Sequence, residues 1–268
     1  MENDVTVALG SLETQLLAYT QMRGSSTVCS EEVVHVLGLT PVQTRELFSR
    51  MSRRGLIVRV RRGLYLVPSR LPPGGKWGPG EFLSLETLIN DRKGTYQICG
   101  PSAFQRYGFA EQVPNRIYAY NDVISGTRKI GAAMFTLIKV DPSRLGDIDT
   151  FTTPEGIKVA YSSRARALVD AVYDWSRFGS LPRAFDWIRK ELTRDSAAAK
   201  LITMAAIRYS NTSTLRRIGK LLEMEGVAES LLRKIERELP KTSAEIPWCP
   251  TRPKRGTVDR RWGVVFNE

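Results

Sequence analysis

At Gly55 the spacing of apolar residues changes from a helical period to a strand period, and arginines crowd both sides of the change. The stretch SRMSRRGLIVRVRRGLYLVP, residues 49–68, holds six arginines and no acid among large apolar side chains. Upstream, Thr40 is a good N-cap, and Pro41 suits the first helical position, where its missing N–H costs nothing. The helix is predicted from Pro41 to about Arg54, with Gly55 as its stop. On a wheel of about 100° per residue, Thr44, Leu47, Phe48 and Met51 share one side. Val42, Arg45, Glu46, Ser49 and Arg53 share the other, with Gln43 and Arg50 at the flank. Downstream, residues 56–60 alternate as a strand, Arg61-Arg62-Gly63 makes a turn, and residues 64–67 return as a strand ended by Pro68.

Two further helices precede this unit. Ser11 reads as an N-cap before Leu12, Leu16, Leu17 and Tyr19 at helical spacing, and Gly24 ends that helix. A second helix opens at Ser30, with Glu31 and Glu32 favoured by the positive end of its dipole. Val33, Val34, Val36 and Leu37 are its predicted apolar side, and His35 on it reads as structural. Helix, helix, turn, helix and β-hairpin describe a winged helix-turn-helix. Its apolar residues hold the third helix against the hairpin, while arginine forks project toward a duplex. Arginine gives a bidentate fork to phosphate or to a guanine edge in the major groove. Gln43, Arg45, Ser49 and Arg53 are assigned to base edges. Arg50, Arg54, Arg59, Arg61 and Arg62 are assigned to phosphates, which position a domain without reading sequence. The bland alternative is arginine that merely guards an exposed hairpin edge.

Charge distribution agrees. The chain of 268 residues carries a net charge of +12, which favours a polyanionic partner. Residues 1–40 hold one basic and five acidic residues, whereas residues 41–70 hold eight arginines against Glu46 alone. Cys29, Cys99 and Cys249 form no CxxC pair, so a reducing cytoplasm is expected rather than a disulfide framework. With those thiols and His35 as the single histidine, no metal or cofactor site is predicted. No apolar run is long enough for a membrane span, and no signal-peptide pattern opens the chain.

A Pro/Gly-rich joint, residues 71–80, separates the predicted DNA-binding domain (1–70) from a larger domain (81–268). There, strands are expected near 96–99, 116–120, 133–140, 147–151 and 157–161. Helices follow from Ser163 to about Leu239, and residues 262–266 add a strand or cover an edge. Strands first and helices afterwards argue α+β: a winged helix-turn-helix followed by a mixed domain with a helical C-terminal half. P-loop, nucleophile-elbow and HExxH patterns are absent, so no catalytic residue is assigned. Asp170 and Asp174, four residues apart, make the one candidate metal pair. Residues 212–220 form a small basic knot that suits either DNA contact or a solvated face.

Three stretches together resemble the AbiEi antitoxins, regulatory proteins of bacterial abortive-infection toxin–antitoxin operons. They are RGLIVRVRRGLYLVP (54–68), VAYSSRARALVD (159–170) and LRRIGKLLE (215–223). The resemblance implies an N-terminal winged helix that binds inverted repeats in its own promoter as a repressor. It also implies a C-terminal antitoxin domain that neutralises a nucleotidyltransferase-like toxin without a stable complex. By position, DNA binding falls on the third helix and on Arg59, Arg61 and Arg62. The Trp-bearing joint (76–78) and the tail after Leu239 depart from the pattern. A ligand-responsive winged-helix factor unconnected to a toxin and an enzyme acting on nucleic acid, with Asp170 and Asp174 as metal ligands, are the competing readings. Five phosphate-bound arginines imply a slope of about −4.5 for log K against log salt.

Overall fold

The computed structural model describes residues 9–72, 76–242 and 244–267. Pro73, Gly74 and Gly75 of the expected joint therefore lie outside the described residues, as do residues 1–8. In chain order the first elements are α1 (Ser11–Met22), β1 (Thr27–Cys29), α2 (Ser30–Val36), α3 (Pro41–Arg53), β2 (Val58–Arg61), β3 (Leu64–Leu66) and α4 (Glu81–Asn90). Next come β4 (Tyr96–Ile98), α5 (Gly100–Arg106), β5 (Ile117–Asn121), β6 (Gly126–Ile130), β7 (Ala133–Lys139), β8 (Ile148–Thr152) and β9 (Lys158–Ser162). Then follow α6 (Arg164–Tyr173), α7 (Trp175–Phe178), α8 (Arg183–Arg194), α9 (Ala198–Tyr209), α10 (Thr212–Met224) and α11 (Glu229–Glu238). Three short strands close the chain: β10 (Ile246–Pro247), β11 (Thr257–Asp259) and β12 (Val264–Phe266). The fold is α+β.

By packing, the chain divides into two compact units. One comprises the residues up to Thr95 together with Val123–Leu137; the other comprises Tyr96–Asp122 and Ile138–Glu268.

The first unit is a winged helix. Thr40 caps α3, accepting the Gln43 N–H at 3.2 Å, and Pro41 occupies the first turn. Gly55 follows with φ +73°, the left-handed value that lets the chain leave the helix and start the wing. Leu47, Phe48 and Met51 are fully buried with Leu16, Leu17, Val28 and Val33. At about 1.5–3 kcal/mol per fully buried large side chain, this face of α3 is the main anchor of the unit. Phe48 stacks on Tyr65 of β3, ring centroids 4.3 Å apart, and so ties α3 to the wing.

Three expectations need correction here. Ser11 is the first residue of α1 rather than its cap; Gly10 is the N-cap, and its N–H is taken by the Glu13 carboxylate at 3.0 Å. Val36 lies on the exposed side of α2, 45% accessible, leaving Val33 as the residue buried there. The sheet has three strands, ordered β1-β3-β2, because residues 27–29 pair antiparallel with β3.

In the second unit the strands run β5-β4-β9-β8, with β4 and β9 parallel and the outer pairs antiparallel. Ser163 caps α6 by accepting the Arg166 N–H. Helix α6 is buried nearly all round, through Ala167, Leu168, Val169, Ala171 and Val172, the signature of a helix surrounded by others. The C-terminal strands form a small sheet, β10-β12-β11, and the buried Trp262 beside it packs on Gly219 of α10. A Cβ at Gly219 would overlap the Trp262 ring, so only glycine lets α10 approach it.

Candidate nucleic-acid interface

Helix α3 presents Gln43, Arg45, Glu46, Ser49 and Arg53 to solvent, opposite its buried Leu47, Phe48 and Met51. Gln43 is partly committed: its carbonyl oxygen accepts the Thr40 N–H at 2.9 Å, closing a reciprocal capping box. Arg45 donates through Nε to the Pro41 carbonyl at 3.2 Å, which lays its stem along the N-terminal end of the helix.

Arg50 and Arg54, both partly exposed, turn back onto α1. Glu13 is 1% exposed, and its carboxylate accepts from Arg50 Nε at 3.2 Å and Arg54 Nη1 at 2.5 Å. Burial pushes that carboxyl up, but the Gly10 N–H and the two guanidiniums outweigh it, holding Glu13 below its ordinary value. The pair therefore staples α1 to α3.

The wing divides its arginines between two faces. Residues paired directly across a ladder share a face of the sheet. Arg59 pairs with Tyr65, whose ring lies on Phe48, so Arg59 is on the α3 side. A bulge between Arg59 and Arg61 shifts the register, and Arg61 pairs with Leu64 instead. An extra residue in one strand reverses the facing of the residues beyond it. Without it Arg59 and Arg61 would point the same way. Arg61 turns instead to Asp91, just past α4, and binds it in a two-pronged pair, Nε–Oδ2 and Nη2–Oδ1 both 2.6 Å. The hydrogen-bonded Arg61 guanidinium holds the Asp91 carboxyl below its usual range. Arg62 remains at the exposed tip beside Gly63. Among the described residues, no carboxylate pairs with Arg45, Arg53, Arg59 or Arg62. The outward cationic set is thus these four, with Arg50, Arg54 and Arg61 given over to the protein's own acids.

Residues 15–68 match the family model described as transcriptional regulator, AbiEi antitoxin. The matched region begins within α1 and ends at Pro68, just after the wing, so it includes the surface just described. No curated protein matches the chain. Among solved structures, that of the RV2827C protein from Mycobacterium tuberculosis is similar along nearly the whole length. It has 13% identity and a TM-score of 0.60, and the match covers 98% of this chain and 94% of that one. At that identity the likeness concerns the fold. Among the described residues no helix is long and apolar enough to cross a membrane.

Beyond the matched region, the second unit redirects two expectations and adds a feature not expected. Asp170 is fully buried, and its oxygens take Arg166 Nε at 2.8 Å, Arg144 Nη2 at 3.3 Å and Ser162 Oγ at 3.2 Å. Asp174 accepts the Tyr120 hydroxyl at 2.6 Å. A carboxylate enclosed by two guanidiniums is a structural counter-ion, which removes the basis for Asp170 and Asp174 as a metal-ligand pair. The basic knot of α10 is likewise internal. Arg216 reaches the Ala244 carbonyl, and Arg217 binds the Pro247 carbonyl at 3.0 Å, fastening the C-terminal strands. Burial lowers the Arg217 pKa to about 10. Neither a DNA contact nor a solvated face describes these arginines. Finally, Phe104, Phe109, Tyr118, Phe178 and Trp187 line a cleft of about 650 Å³, which the sequence reading missed. Their irregular spacing carries no motif.

Proposed function

We propose that the protein is a DNA-binding autorepressor and antitoxin of a toxin–antitoxin operon. Helix α3 enters the major groove of promoter inverted repeats, with Gln43, Arg45, Ser49 and Arg53 toward base edges. Arg59 and Arg62 hold flanking phosphates. The second unit carries the neutralising activity against a nucleotidyltransferase-like toxin, acting without a stable complex. The observation that carries the DNA reading is the set Arg45, Arg53, Arg59 and Arg62, none paired with a carboxylate among the described residues, around a helix of groove-filling width. The match of residues 15–68 to antitoxin regulators supports the operon role.

Footprinting on the upstream promoter tests it, together with Arg45→Ala and Arg62→Ala. Arg45→Ala is expected to relax preference at one base position, at about 1–3 kcal/mol, while Arg62→Ala weakens all sequences alike. Equal losses on operator and random duplex from both changes would remove the base-reading role of α3.

The Asp91 pair yields a separate expectation. Asp91→Asn releases Arg61 and steepens the salt slope by about 0.9, whereas Arg61→Ala leaves it nearly unchanged. Salt titrations of binding to a single half-site read both; a clear flattening in Arg61→Ala would mean that DNA already draws Arg61 off Asp91.

A second reading has its own support in the aromatic cleft, whose size suits a drug-like molecule. In it the protein is a winged-helix transcription factor unconnected to a toxin, with a small-ligand sensor in the second unit. Growth rescue when the chain is co-expressed with its neighbouring gene separates the two.

A further inference from the structure

Residues Val123–Leu137 belong by packing to the winged-helix unit, although they lie far beyond it in sequence. They form a second hairpin. β6 pairs with β7 in unbroken antiparallel register, from Gly126↔Leu137 to Ile130↔Ala133, and turns at Gly131 with φ +59°. The turn sits on the root of the wing. A Cβ at Gly131 would lie 3.5 Å from Val58 Cγ1 and 3.6 Å from Pro79 Cδ, and Val58 immediately precedes Arg59.

The exposed part of this hairpin is basic. Gly126, Thr127, Arg128 and Lys129 are all exposed, and only Ile130 of β6 is buried. No acidic residue occurs from Val123 to Lys139. Arg128 donates to the Thr127 carbonyl at 2.8 Å, and among the described residues no carboxylate pairs with Arg128 or Lys129. At about 3.3 Å per strand residue, their Cα atoms lie within about 10 Å of the turn. Two unpaired cations, on opposite faces of the edge strand β6, thus flank a wing that already offers Arg59 and Arg62.

We infer that the β6–β7 hairpin is a second backbone clamp, with Arg128 and Lys129 holding DNA phosphates alongside those held by the wing. This rests on the DNA reading of α3 and extends it to a segment outside residues 15–68. The competing use of such cations is to guard an edge strand against aggregation. The two uses differ in salt dependence.

The experiment titrates the full chain with salt, by fluorescence anisotropy, on a half-site duplex and on a random duplex of equal length. Wing phosphates alone give a slope of about −1.8 per bound chain, whereas wing and hairpin together give about −3.6. Raising salt from 50 to 200 mM then weakens binding by about 12-fold or about 150-fold, respectively. The expected wild-type result is the steeper one, with Arg128→Gln/Lys129→Gln falling to the shallower on both duplexes. Arg128→Lys/Lys129→Arg, which keeps both charges, is expected to keep the slope. A wild-type slope unchanged in the double glutamine variant, while Arg62→Ala still flattens it, overturns the clamp and leaves the winged-helix reading intact. Absence of duplex binding by the wild type, or indifference to Arg62→Ala, sinks the winged-helix reading itself. If the double variant aggregates, the single Arg128→Gln and Lys129→Gln proteins decide, each expected to flatten the slope by about 0.9.

Discussion

Asp170→Asn is expected to destabilise the second unit by about 3–5 kcal/mol, the usual cost of leaving a buried charge without its partner. Asp170 and Arg166 are both fully buried, and Arg144 shares the same carboxylate oxygen. Burial pushes the Asp170 carboxyl up, and the two guanidiniums and Ser162 oppose that push. Neither arginine has an easy substitute acceptor. The Arg166 guanidinium lies 3.9 Å from the Tyr209 ring centre, and Arg144 lies 3.7 Å from that of Tyr173. Arg166 Nη1 and Arg144 Nε and Nη1 are already without hydrogen-bond partners among the described residues. An asparagine there keeps the shape and removes the charge. The loss propagates, because Ser162 also accepts from Gln97, which in turn holds the Gly146 N–H at 2.7 Å. Four of the five tryptophans lie in this unit, so the denaturant midpoint followed by tryptophan fluorescence reads the change. A shift worth less than about 1 kcal/mol would mean that these guanidiniums reach water, since exposed pairs contribute that little.

The same contrast between counting charges and placing them explains what the sequence could and could not reveal. Helix α3 and the wing were legible because both carry their own punctuation: Thr40-Pro41 at the start, Gly55 at the change of period, Gly63 and Pro68 in the hairpin. α6 and α10 were legible from Ser163 and from the apolar spacing of residues 212–224. Strand β1 was not, since three residues running straight into a helix show no period. Nor was β6, Gly-Thr-Arg-Lys-Ile, which is a strand only because β7 pairs with it. Within the candidate site, the acid partners of three arginines were hidden for one reason. Arg50, Arg54 and Arg61 are indistinguishable in composition from Arg53, Arg59 and Arg62. Their fate is set by Glu13 and Asp91, 37 and 30 residues away from Arg50 and Arg61. A one-residue bulge adds to this, because it reverses the face of Arg61 with no glycine or proline to announce it. Arg216 and Arg217 misled in the same way, their acceptors being backbone carbonyls that no sequence pattern marks. Glu13 did carry a usable signal: it stands at the third position of α1, where a carboxylate reaches back to a cap N–H.

Glu13→Gln is therefore expected to loosen the winged helix itself, by about 1.5–3 kcal/mol, the worth of a hydrogen bond to a charged group. The lower part of that range applies, because the Arg50 and Arg54 side chains are 49% and 34% exposed and water can partly replace the carboxylate. The pH dependence gives the stronger check. Glu13 sits below its ordinary value of 4.5 in the folded chain. A carboxyl so depressed contributes stability that is complete above its unfolded value and is lost as pH falls through the folded one. The wild-type unit should therefore weaken as pH drops below about 4.5, whereas the glutamine variant has no proton to take up there. Above pH 5 the two proteins differ by the full amount, and in stronger acid they converge. Hydrogen exchange of the α1 and α3 amides resolves this unit from the other. No gap between the two proteins at any pH from 3 to 6 would mean that Glu13 acts through its shape and its bond to Gly10, both of which glutamine keeps, and that Arg50 and Arg54 are free to leave it for DNA.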